Sequence, residues 1–355
     1  MKTNKKRLAW LDSLRALAVI LVVWDHLVGE FLARSNLSWL PNDFLNYYVF
    51  EPLAICQYGG FIGVSIFFLI SGYIIIKTAQ KENHIEFAIK RTLRIFPLLC
   101  FVVLVVVLLT TMGILPSPVE QLTLPIILSN IFLYNYFQIP QVILVGVAWS
   151  LVVEVIFYLI VFLFLPLIHH EKFCWLFPVV TLIISAFIFK FARSFGDNFY
   201  LFAVSFIYIP VLSFGSLIYY FEIGKIRLWL FILSSFSAWV LFLHGTSLFY
   251  PNFLQPDESY PISLFWAIAI FSLAWVCREA LPSQRIINMI ALSSYSIYLL
   301  HGLFGFILLP LLINRIGYSA ALLISLVTIT FLATITYFWI EKPFQGIAKI
   351  MTKNI

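Results

Sequence analysis

Charge is what this chain has least of. Asp, Glu, Lys and Arg make up 11% of its 355 residues, under half the share of about 25% found in soluble domains. With 62% hydrophobic residues and a mean hydropathy of +1.01, the soluble and disordered classes are excluded. Lys and Arg still outnumber Asp and Glu, 22 to 16. In so apolar a chain the positions of those basic residues report topology, and no nucleic-acid partner is expected. Cysteine is sparse as well: Cys56, Cys100, Cys174 and Cys277 form no CxxC or paired spacing, which excludes a disulfide framework and a thiolate metal site. No HExxH, carboxylate-rich calcium loop, GxxxxGK(S/T) or GxGxxG occurs. Metal, P-loop and Rossmann chemistry therefore lack sequence support, and neither a metal nor a tightly bound cofactor is expected. Long polar tracts, repeats and low-complexity segments are missing too. The longest interruptions are 31–57 and 114–144, so one membrane domain over 1–355 is expected.

What is present is a series of apolar runs, near 8–30, 58–78, 95–113, 145–168, 173–192, 200–222, 227–245, 261–281, 289–312 and 318–340. A span needs roughly 20 apolar residues, so the expected fold is all-α, a polytopic membrane bundle of about ten transmembrane helices. The basic N-terminus MKTNKKRLAW resembles a secretory n-region. The run after it is too long, carries Asp12, Arg15, Asp25 and His26, and has no small-x-small cleavage site, so it reads as an uncleaved first span. Segment 122–137 is short, broken by Pro125 and dotted with Asn130 and Asn135, which favours an interfacial or re-entrant helix. With ten spans and the N-terminus inside, 17 of the 22 basic residues fall on the cytoplasmic side, from Lys2, Lys5, Lys6 and Arg7 through to Lys353. Both termini are then cytoplasmic by the positive-inside rule.

Ionisable residues inside spans are functional hypotheses by default. In the first span the eleven-residue step from Arg15 to His26 returns to the same helix face, roughly 16 Å further along. Asp12 and Glu30 extend the stripe, which must face a bundle interior or a water-filled passage. The competing structural reading has Arg15 snorkelling to the inner interface, paired with Asp12, and His26 to the outer one. The second span concentrates Gly59, Gly60, Gly63 and Gly72, with Ser71 beside the last; it suits either tight helix packing or a Ser71–Gly72 passage lining. Lys90, Arg91 and Arg94 lead into a span begun by Pro97, a basic cluster suited to phosphates of lipids or of a nucleotide. Glu154 lies mid-span and must be paired, hydrated or protonated; Ser150 and Tyr158 share its face and Trp149 lies alongside. Tyr298 and His301 in the ninth span are read as interhelical hydrogen-bonders or site residues, and Glu341 with Pro343 as the stop of the last span. His84, His169, His170 and His244 read as solvated.

These segments resemble the acyltransferase-3 group of bacterial integral membrane O-acyltransferases. The resemblance runs in order through LDSLRALAVILVVWDH, GFIGVSIFFLISGY, IKRTLRIFP, WSLVVEVIFYL, SYSIYLLH and WIEKPF, nearly the whole chain. It implies transfer of an acyl group, usually acetyl from acetyl-CoA, to hydroxyls of polysaccharides, lipopolysaccharide, peptidoglycan or small molecules, in the bacterial cytoplasmic (inner) membrane. It also implies essential roles for Arg15 and His26, with Glu154, Arg94, Ser71 and Gly72 in support. The chain departs from the family's pattern at Val155 and Ile156, where a second acid and a Gln are common, at Ser65 in place of Asp, and at Lys90 in place of the first basic residue. It runs only twelve residues past Pro343, so a fused hydrolase-like domain is not expected.

The expectation is an acyl-CoA-dependent O-acyltransferase acting on a glycan or lipid-linked saccharide. His26 serves as general base or as acyl carrier, and Glu154 orients it. Arg15, Lys90, Arg91 and Arg94 hold the donor's phosphates or polarise its carbonyl. At 1.5 Å per residue Arg15 sits about 12 Å and His26 about 28 Å deep, so an acyl-pantetheine arm threaded from the basic cluster would meet the acceptor in the outer half of the membrane. The rival classes are a transporter or flippase for lipid-linked sugars or anions, which calls for inverted repeats, and a non-catalytic scaffold in a glycan-assembly complex. Homo-oligomerisation and glycan-assembly partners are compatible with the sequence.

Overall fold

The computed structural model describes residues 8–250 and 259–353, and every regular element among them is helical. The basic residues Lys2, Lys5, Lys6 and Arg7 lie outside the described residues. Eight helices are long and apolar enough to cross a membrane: α1 (Ala9–Ser35), α2 (Gln57–Ala79), α3 (His84–Thr111), α4 (Gly146–Leu163), α6 (Asp197–Glu222), α7 (Leu228–Phe249), α9 (Ser294–Ile316) and α10 (Tyr318–Met351). Two shorter apolar helices, α5 (Leu176–Lys190) and α8 (Tyr260–Val276), complete the set. Large apolar side chains stand exposed along the outer faces, among them Leu104 and Leu108 on α3, Ile183 and Phe187 on α5, Ile232 and Phe236 on α7, and Val327 and Phe331 on α10. Water does not tolerate so wide an apolar belt and lipid does. The chain is an integral, multi-pass membrane protein.

Segment 122–137 forms a helix of only eight residues, Leu124–Ile131, and a 3-10 turn at Tyr134–Phe137. At about 12 Å the helix is too short to span a bilayer. Asn130 fixes the segment to the following loop, donating to the Val142 carbonyl at 2.9 Å and accepting from the Leu144 amide at 2.9 Å.

Two boundaries differ from those read in the sequence. The third span does not begin at Pro97. Its helix starts at His84, behind a capping box in which Asn83 accepts from the Glu86 amide at 2.9 Å and Glu86 returns to the Asn83 amide at 3.3 Å. Two orphan donors are satisfied there, so the charged stretch is the first three turns of α3, with Pro97 inside the helix. Nor does Pro343 stop the last helix. A π-turn at Tyr337–Glu341 precedes it, and Pro343 occupies the first turn of the following helical stretch, Lys342–Met351, where a missing N–H costs little. Smaller shifts follow the same logic. α1 runs on past 30 to Ser35 and closes with Asn36 in the left-handed region, a common C-terminal cap. The expected 289–312 run is split at Ser293 into Arg285–Leu292, which packs on α1, and α9.

α2 is the central post, packed against α1, α6 and α8. A methyl at Gly63 would meet the Ala18 carbonyl of α1 at 2.5 Å, and one at Gly72 would overlap the Leu212 carbonyl of α6. Gly215 of α6 returns the contact against Leu69 and Tyr73. In lipid, where apolar side chains gain little by leaving their solvent, such close approach supplies the packing attraction that joins helices.

Candidate functional site

Two cavities share a wall inside the bundle. The first, about 80 Å³, is lined by Arg15 of α1, Ser71 of α2, Arg94 of α3, Ser150 and Glu154 of α4, and Tyr295 and Tyr298 of α9, closed by apolar groups such as Phe67 and Ile74. Five helices therefore converge on one arginine pair and one carboxylate. Glu154 Oε1 accepts from Ser71 Oγ at 3.3 Å and from the Tyr158 hydroxyl one turn on. Among the described residues Arg94 makes no hydrogen bond or ion pair; Glu154 and Glu341 are the carboxylates in its field. Arg15 is held by Asp12 at 3.6 Å, three residues back on the same face, and that carboxylate is buried.

The second cavity, about 790 Å³, is lined by His26 with Asp25, Glu30, Arg34 and Glu51, and by an aromatic wall that includes Phe61, Trp149, Tyr208, Tyr250 and Tyr260. The rings brace one another: Trp149 and Tyr208 have centroids 5.0 Å apart, and Phe61 and Tyr260 5.0 Å. Val64 and Tyr298 line both cavities, so they form the partition between them. Tyr298 is tethered by donating to the Val147 carbonyl at 3.1 Å and by Ser150 Oγ at 2.8 Å. A third cavity of about 520 Å³, more apolar, also reaches His26, Glu30 and Arg34, from between α3 and α9.

His26 lies in a π-turn, Asp25–Glu30, within α1. Such turns insert one residue into the helical register and recur at functional sites. Its Nδ1 is 3.0 Å from the Val22 carbonyl and 3.2 Å from Nε2 of His301. Its Nε2 is 3.9 Å from Glu30, whose other oxygen pairs with Arg34.

The sequence-derived candidates separate into groups. Arg15, Ser71, Arg94, Ser150, Glu154 and Tyr298 meet in the first cavity; His26 and Trp149 lie on the second, with His301 behind His26. Glu154 makes no contact with His26; Ser71 and Tyr158 are its hydrogen-bond partners, and the imidazole of His301 holds the place beside His26. Lys90 and Arg91 turn to Glu82, at 3.2 and 2.8 Å, and Arg91 also donates to Thr78 Oγ1 at 2.6 Å. Gly72 serves the α2–α6 crossing. Glu341 accepts from the amide of Ser296 at 3.1 Å and from its hydroxyl, placing a carboxylate on the positive end of α9. His84, His169, His170 and His244 are exposed. None of the four cysteines lines the three cavities; burial pushes the Cys174 thiol up, away from reactive thiolate. Sequence reasoning noted Asp25 only as a charge in the first span and missed Glu51, Tyr208, Tyr250 and Tyr260 of the second cavity; the only signal for the last two is that they fall at span ends, and Tyr208, inside α6, gives none.

Over residues 8–340 the chain matches the acyltransferase domain of the acyltransferase-3 family. The chain belongs to that family. Among curated proteins, it is 31% identical over 176 residues to the peptidoglycan O-acetyltransferase OatA of Listeria monocytogenes, covering 44% of this chain and 24% of that protein. It is 29% identical over 184 residues to the O-acetyltransferase OatA of Staphylococcus aureus, covering 47% and 26%. With Nodulation protein 10 of Rhizobium leguminosarum bv. viciae the match is 26% over 313 residues, 79% of this chain and 81% of that one. The matched stretches thus span about a quarter of the two O-acetyltransferases. No solved structure matches the chain.

Proposed function

We propose that this chain is a membrane O-acyltransferase of the bacterial inner membrane. It moves an acyl group, acetyl first of all, from cytoplasmic acyl-CoA to a hydroxyl of a cell-surface glycan or lipid-linked saccharide. All ten apolar helices then cross the bilayer, with both termini cytoplasmic. The observation that carries the reading is the pair of cavities meeting at Val64 and Tyr298, one holding Arg15 and Arg94, the other His26. The match to O-acetyltransferases supports the acetyl group and the glycan.

The first cavity, at about 80 Å³, has the room of two or three waters at about 30 Å³ each, so a thioester arm has to widen it on entering. The nucleotide end of the donor stays outside on the cytoplasmic face. Arg15 and Arg94 act as the cationic guides of the arm, and Glu154, held by Ser71 and Tyr158, offsets the charge of Arg94 through its field. Past the partition the thioester carbonyl meets the acceptor, whose sugar rests against the aromatic wall of the larger cavity. His26 Nε2 takes the hydroxyl proton as oxygen attacks the carbonyl carbon. The C–O bond forms, the C–S bond breaks, and the leaving thiolate takes the proton from His26, so free CoA and the O-acyl ester are the products. Both substrates held against one base convert a bimolecular encounter into an intramolecular one.

The test is transfer of radiolabel from acetyl-CoA to surface glycans by the full-length protein in vesicles, with mass spectrometry of those glycans for an acyl increment. Transfer is expected to be lost in His26→Ala, with acetyl-CoA binding nearly intact, and binding to weaken in Arg15→Ala and Arg94→Ala. Turnover in His26→Ala equal to wild type would remove the base from the mechanism. Saccharide movement across the vesicle membrane with no acyl-CoA present would replace the reading with transport.

A further inference from the structure

His301 is fully buried in α9, and the acyl-transfer reading gives its neighbour His26 the work of a base. The protons can be placed by asking which atoms are able to donate. His301 Nδ1 lies 2.7 Å from the Tyr298 carbonyl and 3.2 Å from the Ile297 carbonyl. Carbonyl oxygens only accept, so Nδ1 carries the proton, and Nε2 of the neutral ring carries a lone pair. That Nε2 faces His26 Nδ1 at 3.2 Å. Two nitrogens at this distance share one proton, and the bare Nε2 cannot supply it, so His26 Nδ1 does. The Val22 carbonyl, 3.0 Å from the same Nδ1, imposes the same choice. Both neighbours of His26 Nδ1 are acceptors, and one tautomer of neutral His26 satisfies them: Nδ1 protonated, Nε2 bare.

We propose that His301 is a positioning residue that fixes the tautomer of His26, so that the lone pair of Nε2 is turned toward the cavities where an acceptor hydroxyl arrives. The inference rests on the acyl-transfer reading for its catalytic meaning and on hydrogen-bond geometry for its chemistry. The order runs from the α9 carbonyls to His301, from His301 to His26, and from His26 to the hydroxyl. Once Nε2 has taken the proton, the Nδ1–H bond to His301 becomes charge-assisted and shortens, and Glu30, 3.9 Å from Nε2, faces the new charge. In hydrolase triads a carboxylate orients the catalytic imidazole. Here a neutral ring does so, and the orienting group itself adds no fixed charge beside the base between turnovers. The two rings also make an edge contact, with centroids 5.0 Å apart at 61°. A packing role needs only the shape of His301, whereas a positioning role needs an acceptor at the place of Nε2.

The full-length protein labelled with ¹⁵N-histidine, in detergent micelles, gives nitrogen spectra that distinguish the two tautomers, with the His26→Ala spectrum identifying the signals. Wild-type His26 is expected with Nδ1 protonated. In His301→Leu that preference is expected to relax, and kcat for acyl transfer to fall about 100-fold with the KM for acetyl-CoA within about twofold. His301→Gln, whose side-chain oxygen restores an acceptor, is expected to regain at least about tenfold over His301→Leu, as a restored acceptor should. A wild-type His26 protonated at Nε2 would overturn the proposal. So would unchanged turnover in His301→Leu, or folded Leu and Gln variants of equal turnover. Should wild type transfer nothing from acetyl-CoA, the acyl-transfer reading fails, and the wild-type spectrum still decides the tautomer.

Discussion

A single methyl group tests the central crossing of the fold. Gly72→Ala places a carbon against the Leu212 carbonyl of α6: it overlaps the oxygen and lies 2.8 Å from the carbonyl carbon, where ordinary contact begins near 3.4 Å. The obstacle is backbone, so no rotamer change relieves it. α2 and α6 must separate by at least about 0.6 Å to clear the carbon, and by more to clear the oxygen, at an overpacking cost of about 1–3 kcal/mol or more. Helix propensity alone would favour alanine by about 1 kcal/mol. Gly346 isolates that second term, because it lies in a helical stretch with nothing within 4 Å of the added methyl. Gly346→Ala is therefore expected to stabilise by about 0.5–1 kcal/mol, and Gly72→Ala, whose backbone obstacle puts the overpacking cost at about 3 kcal/mol or more before the propensity gain of about 1 is subtracted, to destabilise by about 2 kcal/mol. Thermal unfolding in detergent with a thiol-reactive dye reads both once the exposed Cys277 is blocked, since Cys56 and Cys174 are buried in the folded chain. Gly215→Ala meets the same crossing from the other side. The double variant is expected to lose less than the sum of the singles, because helices parted for one methyl admit the other. The shift also moves Ser71 off Glu154, so acyl transfer is expected to fall by about 100-fold, the penalty for misplacement by about 1 Å. A Gly72→Ala protein melting at or above wild type would refute the close crossing.

Other outcomes follow from neighbouring groups. Arg91→Ala leaves the buried carboxylate of Glu82 with Lys90 alone, and is expected to destabilise by about 3 kcal/mol with acetyl-CoA affinity unchanged, measured by unfolding and by calorimetric titration. Arg94→Ala is expected to show the reverse pattern. Glu154→Gln keeps an acceptor for Ser71 and Tyr158 and removes the charge near Arg94, so folding is expected to survive while turnover drops. Glu154→Leu strands both hydroxyls, at about 1–3 kcal/mol for each that finds no other partner, and the two variants separate in a melting assay. Asn83→Ala removes the α3 cap at about 1 kcal/mol, read as faster hydrogen exchange at the Glu86 amide.

The polar stripe of α1 was legible because ionisable groups in an apolar run cannot be hidden, and the meeting of Arg15, Ser71, Arg94 and Glu154 follows from the cost of burying each alone. The early start of α3 was obscured by its own charges. Lys90, Arg91 and Arg94 depress hydropathy and resemble a loop, although Asn83 and Glu86 already spell a capping box. The continuation of α10 past Pro343 depends on the π-turn, which hydropathy does not report. Glu154 does reach the polar face of α1, at Arg15, but the group beside His26 is His301, 275 residues away in sequence, a pair that only packing reveals. Tyr250 and Tyr260 of the larger cavity likewise resemble interfacial anchors until the fold turns them inward.

The wall between the two cavities is made by Val64 and the Tyr298 ring, and the strength of its tethered half can be expressed as a population. Swinging the Tyr298 ring aside forfeits its hydrogen bonds to the Val147 carbonyl and Ser150, worth about 0.5–1.5 kcal/mol each in net terms. The swung-aside conformer then lies about 1–3 kcal/mol above the closed one, so between roughly one molecule in six and one in 160 is open at any instant. Side-chain and local rearrangements recur within microseconds to milliseconds, well inside the roughly 100 ms that a median enzyme spends on one turnover. On the proposed acyl-transfer reading, passage between the compartments is therefore intermittent for any single molecule and is not expected to set the pace.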